Sequence, residues 1–411
     1  IVLTMGTAVD ANIIIYERAK EELRAGLSLE NAVVTAFGWK GAMRSIIDAN
    51  VTHILTGTIL YIFGEGMIRG FAITLLIGIL TSLFTSIFIA RFFIDADIAK
   101  GRSLQFSTNI TKNWFTGFNF DFLKIKKFTY AFSLIVCIIS FVSFFTNGFD
   151  QGIDFVGGRT FQVQFDKKVS SEEVTNALST AEFFDRAEAK TFGNDNQLKI
   201  TTKYKIDKQG VEVDKEVNEK LYAGLKKFFA KEISYDQFTN TQEGKQFGVL
   251  QAMKVGPSIA DDIKTSAVYA VFGSLLIVFL YILLRFRKWQ FSLGAVIAVF
   301  HDVLIVLGIF SLLGKYMPFN MEIDQAFIAA ILTVIGYSLN DTVVVFDRIR
   351  EIIAEKGWKS GENTNLALNS TLSRTLNTSL TTLVVLLSIF IFGGESLRGF
   401  MFAMIIGVLV G

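Results

Sequence analysis

Two acidic residues and one arginine lie in apolar segments that are long enough to cross a membrane. Asp10 and Asp341 each interrupt a run of aliphatic residues, and Arg374 begins another apolar segment. An acid near the centre of a membrane helix costs about 2.5 to 3.5 kcal/mol, so such a residue is a functional candidate by default. Burial pushes a carboxylate toward its protonated form and a nearby arginine pulls it back. This combination predicts a site that exchanges protons or binds cations.

The two acids belong to a sequence that occurs twice, about 330 residues apart. The first copy starts at Gly6, and the second starts at Gly336. Asn340 takes the place of Asp10, and Asp341 comes one position later, so the two acids are not exact equivalents. Two related halves with buried polar residues are typical of transporters. The other matches are Arg44 with Arg374, Thr52 with Thr382, Arg69-Gly70-Phe71 with Arg398-Gly399-Phe400, and Gly78 with Gly407.

Polar residues follow Arg374 at spacings of three and four, which places them on one face of a helix. With the two acids, this face predicts a relay for a proton or cation. The alternative is a fixed ion-pair network that holds two helix bundles in register. The predicted ion-coupling residues are Asp10, Asp341 and Arg374, and the predicted supporting residues are Asn340, Asn377, Thr378 and Thr381.

Other ionisable residues receive simpler interpretations. Asp48 lies one turn after Arg44, and we predict an ion pair between them rather than a place for Asp48 in the relay. His301-Asp302 lies within an apolar segment, where a histidine that satisfies helix packing is favoured over one that titrates. The single cysteine, Cys137, gives no disulfide or zinc site within the chain. No nucleotide-binding motif and no Ser-His-Asp spacing occurs in the sequence, so we predict no enzyme, cofactor or metal site.

The elements that position these residues are membrane helices. Hydrophobic residues make up 51% of the chain and charged residues 19%, and apolar runs of about 20 residues recur. Seven are complete, and two more lie at the ends, at 1–16 and 396–411. Because both ends fall within apolar segments, we expect that a matching N-terminal portion is missing. The seven complete runs are 45–63, 68–93, 128–147, 263–284, 290–313, 326–346 and 375–393.

A polar region, residues 150–262, separates the apolar runs. Its alternating strands and amphipathic helices follow the order βαββαβ, which predicts a ferredoxin-like α+β domain. Such a domain could bind a polymer or another protein, or could serve as a rigid spacer. Lys and Arg concentrate in the connections 17–44, 91–127, 285–290 and 347–374, which are therefore predicted to be cytoplasmic. Residues 148–262 then lie outside.

The sequence resembles the SecD/SecF family, the accessory membrane proteins of the bacterial Sec translocon. Six motifs carry the resemblance: Thr7-Ala-Val-Asp10 with Glu17-Arg18, Gly336-Tyr-Ser-Leu-Asn-Asp341, Ile153-Asp-Phe-Val-Gly-Gly158, Arg285-Phe286, His301-Asp302 and Ser373-Arg374-Thr375-Leu-Asn-Thr378. The resemblance implies a polytopic α-helical membrane protein of the resistance-nodulation-division superfamily, with pseudo-symmetric helix bundles and one extracytoplasmic ferredoxin-like domain. It also implies a fused SecD–SecF chain without the first three SecD helices and the large SecD outer domain.

The implied organisation has five parts. Residues 1–95 are the last three helices of the SecD-like half, and 96–126 are a cytoplasmic linker. Residues 127–148 are the first SecF-like helix, 149–262 are the extracytoplasmic domain, and 263–411 are the other five helices.

The implied function is to promote preprotein translocation and release with the proton or sodium motive force. The implied location is the bacterial inner (plasma) membrane, with residues 149–262 periplasmic. The implied partners are SecYEG, YidC, YajC, unfolded preprotein and membrane lipids, without nucleic acid. A small-molecule or lipid exporter of the same superfamily and a passive translocon scaffold are the alternatives.

Overall fold

The computed structural model describes residues 2–39, 41–64, 66–107, 119–180, 182–208, 210–240, 246–317, 319–357 and 360–411. The middle of the predicted linker, residues 108–118, lies outside this description. The helices are α1 Val2–Arg24, α2 Leu29–Ala36, α3 Met43–Phe63, α4 Gly66–Phe84, α5 Ala90–Ala99, α6 Phe122–Thr146, α7 Ile153–Val156, α8 Ser171–Leu178, α9 Val211–Leu225, α10 Tyr235–Thr239, α11 Pro257–Phe286, α12 Trp289–Leu313, α13 Gln325–Lys356, α14 Ser360–Phe392 and α15 Glu395–Val410. The strands are β1 Gly158–Gln164, β2 Ala187–Phe192, β3 Asn194–Thr202 and β4 Gly248–Val255.

Seven helices in the described part of the chain are long and apolar enough to cross a membrane. They correspond one for one to the seven complete apolar runs of the sequence, so the prediction of a multi-pass membrane protein is confirmed. A π-helical turn, Thr85–Ile89, joins α4 to α5 in one long element. The seven spans are Met43–Phe63, Arg69–Ala99, Phe122–Thr146, Pro257–Phe286, Trp289–Leu313, Gln325–Lys356 and Gly361–Phe392.

The sequence repeat is visible as two sets of three helices. α1, α3 and α4 carry the first copy, and α13, α14 and α15 carry the second. The sets pack on each other chiefly through α3 with α13 and α1 with α14, and α4 also contacts α13. α13 is the most enclosed of the spanning helices, with 78% of its most apolar stretch buried. The helix with Asp341 therefore runs through the centre of the bundle.

The polar region folds as one four-stranded antiparallel sheet with the strand order β2-β3-β1-β4. Alternate residues of the strands, such as Val163 and Leu198, are buried against α8 and α9. The chain order is βαββαβ, so the predicted ferredoxin-like fold is confirmed. We call this unit the αβ domain, and we call its end of the helix bundle the αβ-domain side.

The αβ domain is attached to the start of α13. The Gly152 N–H donates to Ile323 O at 2.9 Å, and the Ile323 N–H donates to Asp150 O at 2.7 Å. In the first turn of α7, Asp154 Oδ2 accepts from the Gln325 N–H at 3.1 Å. Backbone bonds of this kind give a rigid connection, so the αβ domain is joined directly to the helix that carries Asp341.

An ion cluster surrounds this attachment. Glu322 accepts from Lys199 Nζ at 2.6 Å, and Lys190 lies 3.4 Å away. Burial would raise the pKa of Glu322, but the two lysines outweigh it and leave that pKa below its ordinary value. Asp324 caps α13 by accepting from the Phe327 N–H at 2.8 Å. Burial, together with the charges of Asp154 and Glu322, raises the pKa of Asp324 to about 6.

Candidate ion-coupling site between the two halves

The three predicted ion-coupling residues come together from three helices and from both halves. Asp10 belongs to α1, Asp341 to α13 and Arg374 to α14. The three side chains interact electrostatically with one another. Within the described residues, however, none of these pairs forms a hydrogen bond or an ion pair shorter than 4.0 Å. The residues thus face one region without being locked in a contact pair.

Several polar atoms around this region are buried without a hydrogen-bond partner among the described residues. Asp10 is only 5% exposed, and its Oδ1 is one of these atoms. Asn340 Oδ1 and His53 Nε2 are two others. Buried polar atoms usually have a partner, and leaving one unpaired costs about 1 to 3 kcal/mol. Together these atoms give the site the donors and acceptors that a proton or a partly hydrated cation needs.

The histidine is a residue that the sequence analysis did not assign to the site. His53 lies on α3 and faces the second half at Gly336, where a Cβ would be 3.4 Å from His53 Cδ2. Its Nδ1 bonds to Ala49 O of its own helix at 3.0 Å. Only the spacing of the repeat, which sets α3 against α13, could have pointed to it.

Tyr337 was also missed, and it joins the two helices that carry the second acid and the arginine. Its hydroxyl donates to Thr382 Oγ at 2.9 Å and to Thr378 O at 3.2 Å. The same hydroxyl reaches both because Thr378 and Thr382 are one turn apart on α14. Tyr337 therefore sets the spacing of α13 and α14 one turn before Asp341.

The predicted supporting residues lie near the site, but their hydroxyls point back to their own helix. Thr378 Oγ donates to Thr375 O at 3.0 Å. Thr381 Oγ donates to Asn377 O at 3.0 Å and to Thr378 O at 2.9 Å. Thr378 is buried, whereas Asn377 and Thr381 are half-buried. The polar face exists, but in this conformation it does not reach the carboxylates by hydrogen bonds.

A cavity of about 450 Å³ opens between the two halves on the side opposite the αβ domain. Its walls come from α1, α3, α13 and α14, and Arg374 forms part of it. The volume is enough for several water molecules, each of which occupies about 30 Å³ in the liquid. The charged residues that line it are Glu17, Arg18, Glu21, Arg44, Asp347, Arg348, Arg350, Glu351 and Arg374. The cavity therefore connects the site to the basic end of the bundle.

The predicted ion pair between Asp48 and Arg44 is wrong. Asp48 Oδ2 instead accepts from Arg285 Nε at 2.8 Å, and its Oδ1 accepts from the Tyr281 hydroxyl at 3.1 Å. Arg285 also contacts Asp347 Oδ1 at 3.2 Å. Arg44 is exposed and forms no ion pair with any residue that the structure describes. The local helical spacing suggested Arg44, but burial between α3, α11 and α13 favours the guanidinium that is also buried there.

Comparison with known proteins gives a consistent result. The family defined by the C-terminal part of the protein-export membrane proteins SecD/SecF matches residues 1–97 and 235–411. The SecD/SecF GG motif matches residues 142–169. These two matches cover both the helical halves and the start of the αβ domain.

Two relatives and two solved structures illustrate the match. The protein translocase subunit SecF of Rhodothermus marinus is 44% identical over 299 residues, which is 72% of this chain and 90% of that protein. The protein translocase subunit SecDF of Brucella abortus is 33% identical over 413 residues, 100% of this chain and 50% of that protein. The chain thus spans about half the length of this fused relative.

A crystal structure of SecDF from Thermus thermophilus, described as a translocon-associated membrane protein, has a TM-score of 0.82 at 31% identity. It covers 100% of this chain and 52% of that one. A crystal structure of SecDF in a super-membrane-facing form has a TM-score of 0.70 at 32% identity and covers 100% of this chain and 51% of that one.

Proposed function

The chain belongs to the SecD/SecF family of protein-export membrane proteins, and we propose that it is an accessory part of the Sec translocase driven by the proton or sodium motive force. It would promote preprotein translocation and release on the outer side of the inner (plasma) membrane. The observation that carries this proposal is the convergence of Asp10, Asp341 and Arg374 between the two halves. A site divided between two packed bodies can change when they move, and its occupancy can in turn favour one arrangement of the bodies.

The energy of such a site is sufficient for mechanical work. Moving one elementary charge through a potential of 100 mV releases about 2.3 kcal/mol. That is several times RT and can shift a two-state equilibrium about fiftyfold, since 1.4 kcal/mol corresponds to a factor of ten. The cavity at Arg374 supports access from one side, and Asp10 Oδ1, which has no hydrogen-bond partner among the described residues, supports an acceptor in the other half. Proton and sodium coupling both fit carboxylates of this kind.

The attachment of the αβ domain supports a transmission route. Gly152 and Ile323 join the domain to the first residues of α13, and Asp341 lies farther along the same helix. A displacement of α13 would therefore move the αβ domain. In this proposal the domain lies on the outer side, because the basic connections and the cavity with its arginines are at the opposite end.

The proposed partners are SecYEG, YidC, YajC and unfolded preprotein. The similar proteins include protein translocase subunits and a translocon-associated membrane protein. A passive scaffold would use the same surfaces but would not need ionisable residues at the site. A small-molecule or lipid exporter would need them but would act without the translocon.

Inner-membrane vesicles that carry the protein and SecYEG provide the test. A preprotein is stalled late in translocation, and a proton or sodium gradient is then imposed. We compare completion in the wild type and in Asp341→Asn. Because Asn has nearly the same size but cannot ionise, we expect it to abolish the acceleration by the gradient and to leave the rate without a gradient unchanged.

A matched control is Glu355→Gln, which neutralises an exposed acid farther along the same helix, outside the predicted relay and outside the lining of the cavity. It should respond to the gradient like the wild type. If Asp341→Asn responds as well as the wild type, the site is structural and the scaffold takes precedence. If the gradient accelerates completion neither in the wild type nor in any variant, the proposed coupling is wrong.

A further inference from the structure

A second ionisable pair lies in the membrane part of the second half, away from Asp10 and Asp341 in the hydrogen-bond network. His301 Nδ1 is 3.0 Å from Asp302 Oδ1, and His301 Nε2 is 2.6 Å from the hydroxyl of Ser133. The other oxygen of Asp302 accepts from the Ser338 hydroxyl at 2.6 Å. Asp302 is 4% exposed. The sequence analysis interpreted this pair as helix packing, but its bonds reach two other helices.

The pair is part of a seam between α6 and α12. Ser133 pairs with His301, Ser140 lies against Gly308, and Ser143 bonds to Ser311 at 2.8 Å. Because each partner is 168 residues farther along the chain, the two helices run parallel. α6 packs chiefly on α12, and most of its other side chains are exposed. Its position in the bundle therefore depends on this seam.

The geometry at His301 accepts an extra proton without losing a hydrogen bond. With a neutral ring, the Nδ1–H donates to Asp302 and the Ser133 hydroxyl donates to the lone pair of Nε2. When a proton adds to that lone pair, the new Nε2–H donates to Ser133 Oγ, and the hydroxyl hydrogen turns away. A hydroxyl can play either part, whereas a backbone carbonyl can only accept and a backbone N–H can only donate. Protonation changes the net charge of the pair from −1 to zero, because the Asp302 carboxylate balances the resulting imidazolium.

The described neighbours of the pair are hydroxyls and backbone. From α6 the pair meets Ser133, from α13 it meets Ser338, and from the end of α15 it meets the backbone at Gly411. A Cβ at Gly411 would lie 3.2 Å from Asp302 Oδ2. Across the ranges that the structure describes, no other ionisable side chain forms an ion pair with either residue. The nearest acidic or basic residue along α13 is Asp341, three positions after Ser338.

The hydrogen-bond network of His301 and Asp302 ends on α13 and α6, the two helices that would move in the proposed function. Ser338 is on the helix that carries Asp341, and α6 leads directly into the αβ domain. At that end of the seam, the Ser311 hydroxyl donates to Gly148 O at 2.8 Å, and Asn147 Nδ2 donates to Ser143 Oγ at 3.1 Å. A change of charge in the seam thus acts on α6 and α13 together.

We infer that His301 and Asp302 form a second protonatable site, which links the helix entering the αβ domain to the helix that carries Asp341. This inference rests on the proposed function for its role in translocation, but not for its chemistry. His301 would take up a proton at Nε2 while Asp302 remains ionised, and Ser338 would transmit the change to α13. The residues act through Asp341 and are positioning residues for the ion-coupled step.

The chemistry is tested by the imidazole ¹⁵N resonances of the protein in lipid nanodiscs. The signal of His301 is identified by its absence in His301→Asn. We expect the ring to change from a neutral tautomer to imidazolium as the pH is lowered across the range in which the protein stays folded. A ring that stays in one neutral tautomer throughout this range overturns the inference, whatever the translocation assay shows.

The role is tested in the vesicle assay with His301→Asn, Asp302→Asn and the control Ser311→Ala. Each of the first two variants removes one member of the protonatable pair, so we expect each to lose nearly all of the gradient-dependent acceleration. Ser311→Ala removes a hydrogen bond of the same seam but no ionisable group, and it should keep the acceleration. Equal loss in all three variants means that the seam is only structural, and no loss in His301→Asn means that the pair is not used. If Asp341→Asn keeps the gradient-dependent acceleration of the wild type, the proposed function is wrong. The ¹⁵N measurement then decides by itself whether His301 and Asp302 form a protonatable site.

Discussion

The Tyr337 hydroxyl donates a hydrogen bond to Thr382 Oγ at 2.9 Å, which ties α13 to α14 close to the residues that would exchange ions. Tyr337 lies one turn before Asp341, and Thr382 lies two turns after Arg374. Both partners are buried, so water does not compete for the bond. The distance between the second acid and the arginine therefore depends on a neutral contact that no charge change would break.

Replacing Tyr337 by Phe should destabilise the protein by about 1 to 2 kcal/mol, because the buried Thr382 hydroxyl loses its partner. The measurement is the thermal unfolding midpoint in detergent. Tyr269→Phe is the control, since Tyr269 is 61% exposed on α11, and it should leave the midpoint unchanged. Equal midpoints for the wild type and Tyr337→Phe would contradict the structural importance of the bond.

Asp48→Ala should be among the most damaging single changes at the end of the bundle opposite the αβ domain. It removes the main partner of the buried Arg285, and breaking such a pair costs about 3 to 5 kcal/mol. Arg44→Ala should change stability by less than about 0.5 kcal/mol, as is usual for exposed residues without specific contacts. Unfolding of the two variants in parallel distinguishes the observed pairing from the one that helical spacing suggested. A larger effect of Arg44→Ala would favour the latter.

Gly308→Ala should displace α6 from α12. An added Cβ at Gly308 would lie 2.0 Å from Ser140 Oγ, too close for two non-bonded atoms. Overpacking of this kind costs about 1 to 3 kcal/mol. Gly273→Ala in α11 is the matched control, because a Cβ there meets nothing within 4 Å. The control should be neutral or slightly stabilising, and a Gly308 variant that behaves like it would show that the seam can open at little cost.

Asp324→Asn should remove one component of the pH dependence of stability. The pKa of Asp324 is raised from 3.8 to about 6, so the folded protein holds this proton more tightly than the unfolded chain does. The resulting stabilisation is complete below about pH 4 and is lost as the pH rises to about 6. It amounts to at most about 3 kcal/mol, since one pKa unit corresponds to about 1.4 kcal/mol.

The comparison is between the unfolding midpoints of the wild type and Asp324→Asn from pH 4.5 to pH 7.5. Asn is also a good N-cap, so α13 keeps its start. The variant should gain stability relative to the wild type as the pH rises, because it carries no buried charge at pH 7.5. Two curves that stay parallel over this range would show that Asp324 ionises at its ordinary pH.

The features that follow from local sequence were predicted well. Membrane spans depend on continuous apolar runs, and the sheet of the αβ domain depends on alternation within each strand, so both can be identified without knowledge of distant contacts. The convergence of Asp10 with Asp341 followed from the repeat, because equivalent helices of two packed halves meet near a common axis. The functional roles of these residues stay predictions.

The features that depend on distant partners were not predictable in the same way. Arg285 is 237 residues from Asp48, and no local spacing relates them. Helical spacing predicts which residues share a face but not which rotamer each side chain adopts. The direction of the Thr381 hydroxyl therefore could not be predicted. His301 was assigned to packing because the sequence shows its apolar neighbours but not Ser133, which comes from another helix.

The one-residue offset between Asp10 and Asp341 has a consequence for how many ions move per cycle. One residue along an α-helix corresponds to a rotation of about 100° and a rise of 1.5 Å. Asn340, not Asp341, occupies the place that a two-fold relation would give to an acid. The two carboxylates therefore differ in depth and in direction, and a single affinity cannot describe both. In the proposed coupling, their occupation would be an ordered sequence of two events, with a stoichiometry that has to be counted at each carboxylate separately.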